Sequence, residues 1–202
     1  VNTIANLLST LIQKEFPSLP TVRCLDIGCG DMAIANHIQQ WLPHTTWTCL
    51  DIHDEPKTKN DCTNCAKYMV FDGENIPFNQ GDYDLIIFCD VLHHVEGSES
   101  SLLKQALSIS KCVVVKDHFE RGLYSRSMLQ LMDYFGNWGY GVQSPGKYFS
   151  RTTFQNLCRD IGATNVKITE NIEIYPYSKL LQYLLKNDWQ FIATLSSENQ
   201  FS

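Results

Sequence analysis

The chain has 202 residues, a length that supplies about one domain and can bury a full core without disulfide or metal staples. Hydrophobic residues make up 44% and charged residues 19%, which excludes an intrinsically disordered chain. The net charge is -6 and Lys and Arg never run longer than a pair, so the basic stripe that neutralises phosphates is missing and no nucleic-acid partner is expected.

Residues 2–16 place Ile4, Leu7, Leu8, Leu11 and Ile12 at helical spacing, and Pro17 and Pro20 close this N-terminal helical segment, 1–20. Val22 to Ile27 is a short apolar run stopped by Gly28-Cys29-Gly30, the pattern of a buried strand entering a tight turn. Asp31 can cap the next helix, which carries Ala33, Ile34, Ile38 and Leu42 on one face and ends at Pro43. Further strands are expected at 46–52, 67–71, 83–89 and 111–116, with a helix over 98–108 between the last two. Strand and helix in alternation imply a mostly parallel sheet covered on both faces.

From 119 to 150 the rhythm stops and aromatics gather: Tyr124, Tyr134, Phe135, Trp138, Tyr140, Tyr148 and Phe149. Met128, Leu129, Met132 and Phe135 suggest one helix within this stretch, and 152–162 another. Strands at 165–174 and 189–195, joined by a Leu-rich helix around 179–186, complete a seven-stranded sheet with an antiparallel closing strand. The expected architecture is a Rossmann-like α/β three-layer sandwich forming a single domain over 1–202, with 119–150 as an inserted substrate cap.

The eight cysteines do not read as a disulfide framework, because Cys24, Cys49, Cys89 and Cys112 fall inside buried-strand patterns. Cys62 and Cys65 form a lone CxxC, and a structural zinc site needs about four ligands, so no metal is expected. No apolar run reaches about 18 residues and the first residues lack the basic-then-apolar order of a secretory leader. The expectation is a cytoplasmic protein with no transmembrane segment.

In an open α/β sheet, ligands sit beyond the carboxyl ends of the strands. Four acids stand at such ends: Asp26, Asp51, Asp72 and Asp90. Asp51 closes the second strand, the place from which a carboxylate accepts from both ribose hydroxyls. Gly28-Cys29-Gly30-Asp31-Met32-Ala33 also satisfies the dinucleotide pattern GxGxxA, which leaves an NAD(P)-dependent oxidoreductase as an alternative. Electrostatics favour another ligand. Asp26 and Asp31 would repel a pyrophosphate at the turn, and would attract a cation carrying an amino group and a sulfonium.

The blocks LDIGCGDM, LDIH, FDGENIPF and YDLIIFCDVLHHVE, with KCVVVKDHF as fifth strand, resemble the successive motifs of class I S-adenosylmethionine-dependent methyltransferases over about 22–118. The nearest pattern is the small-molecule branch called methyltransferase type 11. The resemblance implies S-adenosylmethionine as methyl donor and S-adenosylhomocysteine as product. It implies that Asp26 orients the methionine amino group and that Gly28, Cys29 and Gly30 form the turn around it. It further implies that Asp51 grips the ribose, Ile52 packs on adenine, and Asp72, with Gly73 beside it, accepts from the adenine amine. Asp90 and Val91 would line the methionine side. One departure is Met32, where the family often has a third Gly.

Methyl transfer to a hydroxyl needs a base beside the positioned acceptor. His93, His94, Lys116, Asp117 and His118 lie just after the fourth and fifth strands. His118 is the preferred base, since it ends the fifth strand in the Lys116-Asp117-His118 cluster, whereas His94 is expected to pack under the cofactor. The segments KDHF, MDYFGNWGYGV and KYFS resemble methyltransferases of lipid, polyketide and secondary-metabolite pathways, which implies a small-molecule acceptor. A catalytically silent methyltransferase-like binding subunit is the alternative from a different class. The sequence leaves the oligomeric state open.

Overall fold

The computed structural model describes residues 1–55, 66–95, 97–136, 147–174 and 187–197. The strands are β1 (Val22–Ile27), β2 (Thr45–Asp51), β3 (Lys67–Val70), β4 (Tyr83–Cys89), β5 (Ser110–His118), β6 (Asn165–Glu170) and β7 (Gln190–Ser196). The helices are α1 (Asn2–Glu15), α2 (Ala33–Trp41), α3 (Glu99–Ile109), α4 (Leu123–Gly136) and α5 (Arg151–Asp160).

All seven strands form one sheet in the order β3-β2-β1-β4-β5-β7-β6. The pairs among β1 to β5 are parallel, and β7 runs antiparallel to both β5 and β6. The reversed strand is therefore threaded between two others. The order changes direction between β1 and β4, so their carboxyl ends diverge into the crevice where such sheets bind ligands.

The apolar runs are buried on both faces. In β4, Leu85 and Ile87 join one core with Ile4, Leu8 and Ile12 of α1 and Ala35 and Ile38 of α2. Ile86 and Phe88 join the other, with Leu102, Leu103 and Ala106 of α3 and Phe154 of α5. Period-2 alternation thus divides one strand between two layers of helices, each fully buried aliphatic or aromatic side chain contributing about 1.5–3 kcal/mol.

Several boundaries differ from the sequence expectations. β5 extends past the apolar run 111–116 to His118, as the KCVVVKDHF block implied, because its last residues pair with β7: Lys116 opposite Ile192, Asp117 opposite Phe191 and His118 opposite Gln190. β6 stops at Glu170 rather than continuing to Ile174, since Asn171 takes a positive φ of 59° and turns the chain out of the ladder. The expected aromatic lining of 119–150 divides in two. Phe119, Tyr148 and Phe149 are buried, Phe119 stacking on Phe191 at 3.9 Å, while Tyr124 and Tyr134 on α4 are half exposed.

The side chain of Phe135, the residues Trp138 and Tyr140, the CxxC at 62–65 and the helix expected around 179–186 lie outside the described residues. Cys24, Cys49 and Cys112 are buried free thiols, as the strand patterns implied, while Cys89 is only partly buried. Among the described residues no helix is long and apolar enough to cross a membrane.

Candidate active site

The loop after β1 is fixed by main-chain bonds. The Gly28 and Cys29 N–H groups both donate to the Leu50 carbonyl, at 2.8 and 3.1 Å. Gly28 has φ 73°, and a Cβ there would lie 2.4 Å from Val91 Cγ2, so only glycine fits where the β1 turn meets the residue after β4. Val91 is thereby brought against the turn.

Met32 sits at φ 61° immediately before α2, which explains the glycine that related sequences often carry there. The expected capping by Asp31 is displaced by one residue. Met32 occupies the cap position, and Asp31 instead accepts from the Ala33 N–H at 3.0 Å.

Asp26 ends up almost fully buried beneath this turn. Burial pushes its carboxyl up to about 7, and the nearby charges of Asp51 and Asp31 push the same way. A carboxylate in that position gains most from a cationic partner.

Asp51 is also buried. It accepts from the Gly30 N–H at 2.9 Å through Oδ2 and from the His53 N–H at 3.1 Å through Oδ1. Each oxygen keeps one further acceptor site, enough for a pair of vicinal hydroxyls. Ile52 leaves 58% of its surface exposed, and a Cβ on Gly73 would lie 3.0 Å from its Cγ2. An open apolar face beside a small residue suits a flat ring.

Asp72 stands apart. It is exposed, and its carboxylate accepts from the Glu74 and Asn75 N–H groups and from the Asn75 side-chain amide, which holds it below the usual carboxylate range. It is a turn former first.

The ends of β4 and β5 hold a second group of charges, and these are paired. Asp90, at φ 57°, takes the buried Lys116 ammonium on both oxygens at 2.6 and 2.7 Å. Burial lowers Lys116, but Asp90 outweighs it and the amine stays charged. Asp117 is fully buried and accepts at 2.7 Å from His93 Nδ1 and from the His118 N–H through the same oxygen. Burial draws His93 down, yet Asp117 and then Asp133 prevail and hold its imidazole up at about 10.

His118 is buried. Its Nδ1 lies 3.3 Å from Asp90 Oδ1 and 3.6 Å from Asp117 Oδ1, without a well-aligned hydrogen bond to either. His94 is partly buried and held low by burial and by His93. In the sequence His93 stood only as one candidate base among several, Tyr148 only as one aromatic among several, and Asp133 was not singled out. The adjacent His93-His94 and the acid within the aromatic segment were the available signals.

Metal-ligand atoms do cluster here, since His93, Asp117 and His118 offer donors within 4.8 Å of one another, as do His93, His94 and Asp133. The positive charges of His93 and Lys116 offset two of the three negative charges on Asp90, Asp117 and Asp133, and both oppose a divalent cation.

The switch-point crevice, the glycine turn and the buried acids beside it have the geometry of a ligand site on an open α/β sheet. A family model described as a methyltransferase domain matches residues 3–168, and the chain belongs to that family. This match reaches well beyond the motif blocks at 22–118.

Among solved structures, the chain is similar to the CurJ carbon methyltransferase, with TM-score 0.68 and 21% identity over 96% of this chain and 54% of that one. It thus spans about half of the CurJ chain. It is also similar to magnesium protoporphyrin IX methyltransferase from Synechocystis PCC 6803 with bound S-adenosylhomocysteine, at TM-score 0.64 and 15% identity over 96% and 82% of the two chains. The plantazolicin methyltransferase BpumL with S-adenosylhomocysteine gives 0.66 and 20% over 97% and 83%. No curated protein matches the chain by sequence.

Proposed function

We propose that this protein methylates a small-molecule acceptor, with a hydroxyl oxygen the favoured target, and that His118 is its base. The observation that carries the reading is His118 Nδ1, buried between the carboxylates of Asp90 and Asp117 at the end of β5. Two acids beside Nδ1 favour a proton there and leave Nε2 as the basic lone pair. The acceptor O–H gives its proton to Nε2 as the new O–C bond forms and the C–S bond of the donor breaks. The two carboxylates then stabilise the resulting imidazolium. S-adenosylmethionine would supply the methyl group from its sulfonium, and the neutral thioether S-adenosylhomocysteine would be the leaving product.

Asp26 would hold the amino group, Asp51 the ribose hydroxyls, and Ile52 with Gly73 the adenine. Asp72, already committed to its turn, would keep a free lone pair for the adenine amine. Segment 119–150 would cap the acceptor side within a single domain. The three similar structures are named for a carbon methyltransferase, a porphyrin and plantazolicin, which supports small metabolites as the acceptor class without choosing among them.

The test is turnover of methyl-labelled S-adenosylmethionine with a panel of phenols, carboxylic acids and amines, run beside His118→Ala. We expect methylated phenol, and a rate at least about 100-fold lower in the variant. An undiminished rate across pH would remove His118 as base. Tight S-adenosylhomocysteine binding with no turnover, together with a co-purifying protein, would make the chain a silent subunit.

A further inference from the structure

The proposed base stands at the end of β5 and takes no group from α4, yet the two elements are tied together through one residue. His93 lies in the short 3₁₀ turn 92–94 after β4 and is 2% exposed. Its Nδ1 faces Asp117 Oδ1 on β5 at 2.7 Å, and its Nε2 faces Asp133 Oδ2 on α4 at 3.5 Å. Its ring stacks on Tyr148 at 5.3 Å, and its carbonyl accepts from the Lys147 N–H at 2.9 Å. Tyr148 donates in turn to Asp133. A single imidazole therefore contacts the strand that ends in His118, the helix of the aromatic segment and the strand of chain leading into α5.

We propose that His93 is a positioning residue that, by bridging Asp117 and Asp133, fastens α4 to the end of β5 and sets the orientation of His118. The proposal rests on the reading of His118 as base only for its second half. The joint between α4 and β5 stands on the contacts alone.

Three features support a built joint over simple packing. A neutral histidine has one N–H, and here both ring nitrogens face carboxylates, so full use of the geometry needs the imidazolium. The groups facing the ring are Asp117, Asp133, Tyr148, His94 and His118, and the two acids dominate its charge state. Asp117 gives one oxygen to both His93 and the His118 N–H, so a shift at His93 is passed to His118 through a single atom.

The experiment uses the whole chain saturated with S-adenosylhomocysteine. Amide hydrogen exchange is read over 123–136, and the histidine rings are followed by nitrogen-15 NMR. Asp133→Asn keeps the shape and removes the outer anion. We expect exchange in α4 to rise about tenfold, the His93 ring to lose its second proton at lower pH, and affinity for S-adenosylhomocysteine to stay within about twofold.

His93→Gln should raise α4 exchange similarly and change the tautomer balance of the His118 ring. The double variant should exchange no faster than the worse single one, because both remove the same link. Additive effects in the double variant, unchanged α4 exchange in Asp133→Asn, or a His118 ring indifferent to His93→Gln would overturn the proposal. None of these readouts needs an acceptor, so failure of His118 as base in the turnover assay leaves the α4 result to decide the joint by itself. Should His93→Gln fail to fold, Asp133→Asn still decides it, through α4 exchange and the pH at which His93 deprotonates.

Discussion

The two halves of the crevice treat charge in opposite ways. At the ends of β1 and β2, acids stand near one another with few compensating cations: Asp26 is buried with Asp51 and Asp31 as neighbours, and the loop is held by main-chain bonds. At the ends of β4 and β5, every buried charge has a partner. Lys116 sits on Asp90, and His93 lies between Asp117 and Asp133. The first half keeps a surplus of negative charge, which under the proposed reading serves a cation from solution, whereas the second carries its own cations. Two kinds of charged cluster can therefore lie side by side on one sheet and be told apart by whether the acids have cations of their own.

The largest effect expected from breaking this contrast is on the paired side. Asp117→Ala leaves the His93 imidazolium without its closer acid and should cost about 3–5 kcal/mol, read by urea unfolding near neutral pH. His93 is raised from its ordinary 6.5 to about 10. The stability it contributes is full below about 6.5 and is lost as pH rises through about 10. The Asp117→Ala variant should lack that alkaline decline.

Asp26→Asn should have mixed signs. S-adenosylhomocysteine affinity should fall on the order of 100-fold in calorimetry, because the neutral amide offers the ligand's amino group no charge. Free-protein stability should move the other way. With Asp26 raised from 3.8 to about 7, the parent loses stability as pH rises between those values, on the order of 4 kcal/mol, and the variant should not. In the parent, cofactor affinity should rise about tenfold per pH unit below about 7 and level off above it. A flat affinity profile would show that Asp26 does not meet the cation.

Asp51→Ala should weaken S-adenosylhomocysteine by about 10- to 100-fold while the fold persists. It removes two acceptor sites for the ribose as well as the Gly30 and His53 contacts. Unchanged affinity would refute the ribose assignment. Ile52→Ala should have the smallest effect, about 1 kcal/mol in cofactor affinity with no change in unfolding, since its side chain is largely exposed in the free protein.

Much of the half built on β1 and β2 was legible in the chain. A strand ending in an acid and followed by Gly28-Cys29-Gly30, then a second acid closing the next strand, sets its geometry within about 30 residues, and local rules suffice for that. Asp72 was less legible, because an acid before Gly73 and Asn75 can form a turn or bind a ligand from the same pattern. The pairing of charges at the ends of β4 and β5 was hidden for a different reason. His93 and Asp117 are 24 residues apart, Asp90 and Lys116 are 26 apart, and Asp133 lies on a helix whose packing no periodicity reveals.

The sequence by itself determined the alternation of strands and helices, the burial of both sheet faces and the acids at the strand ends, because hydrophobic period and turn chemistry are properties of short segments. Only the tertiary structure decided where β7 threads and which buried acid meets which cation. Those depend on pairings between distant segments whose free energy exists only once the sheet has closed around them.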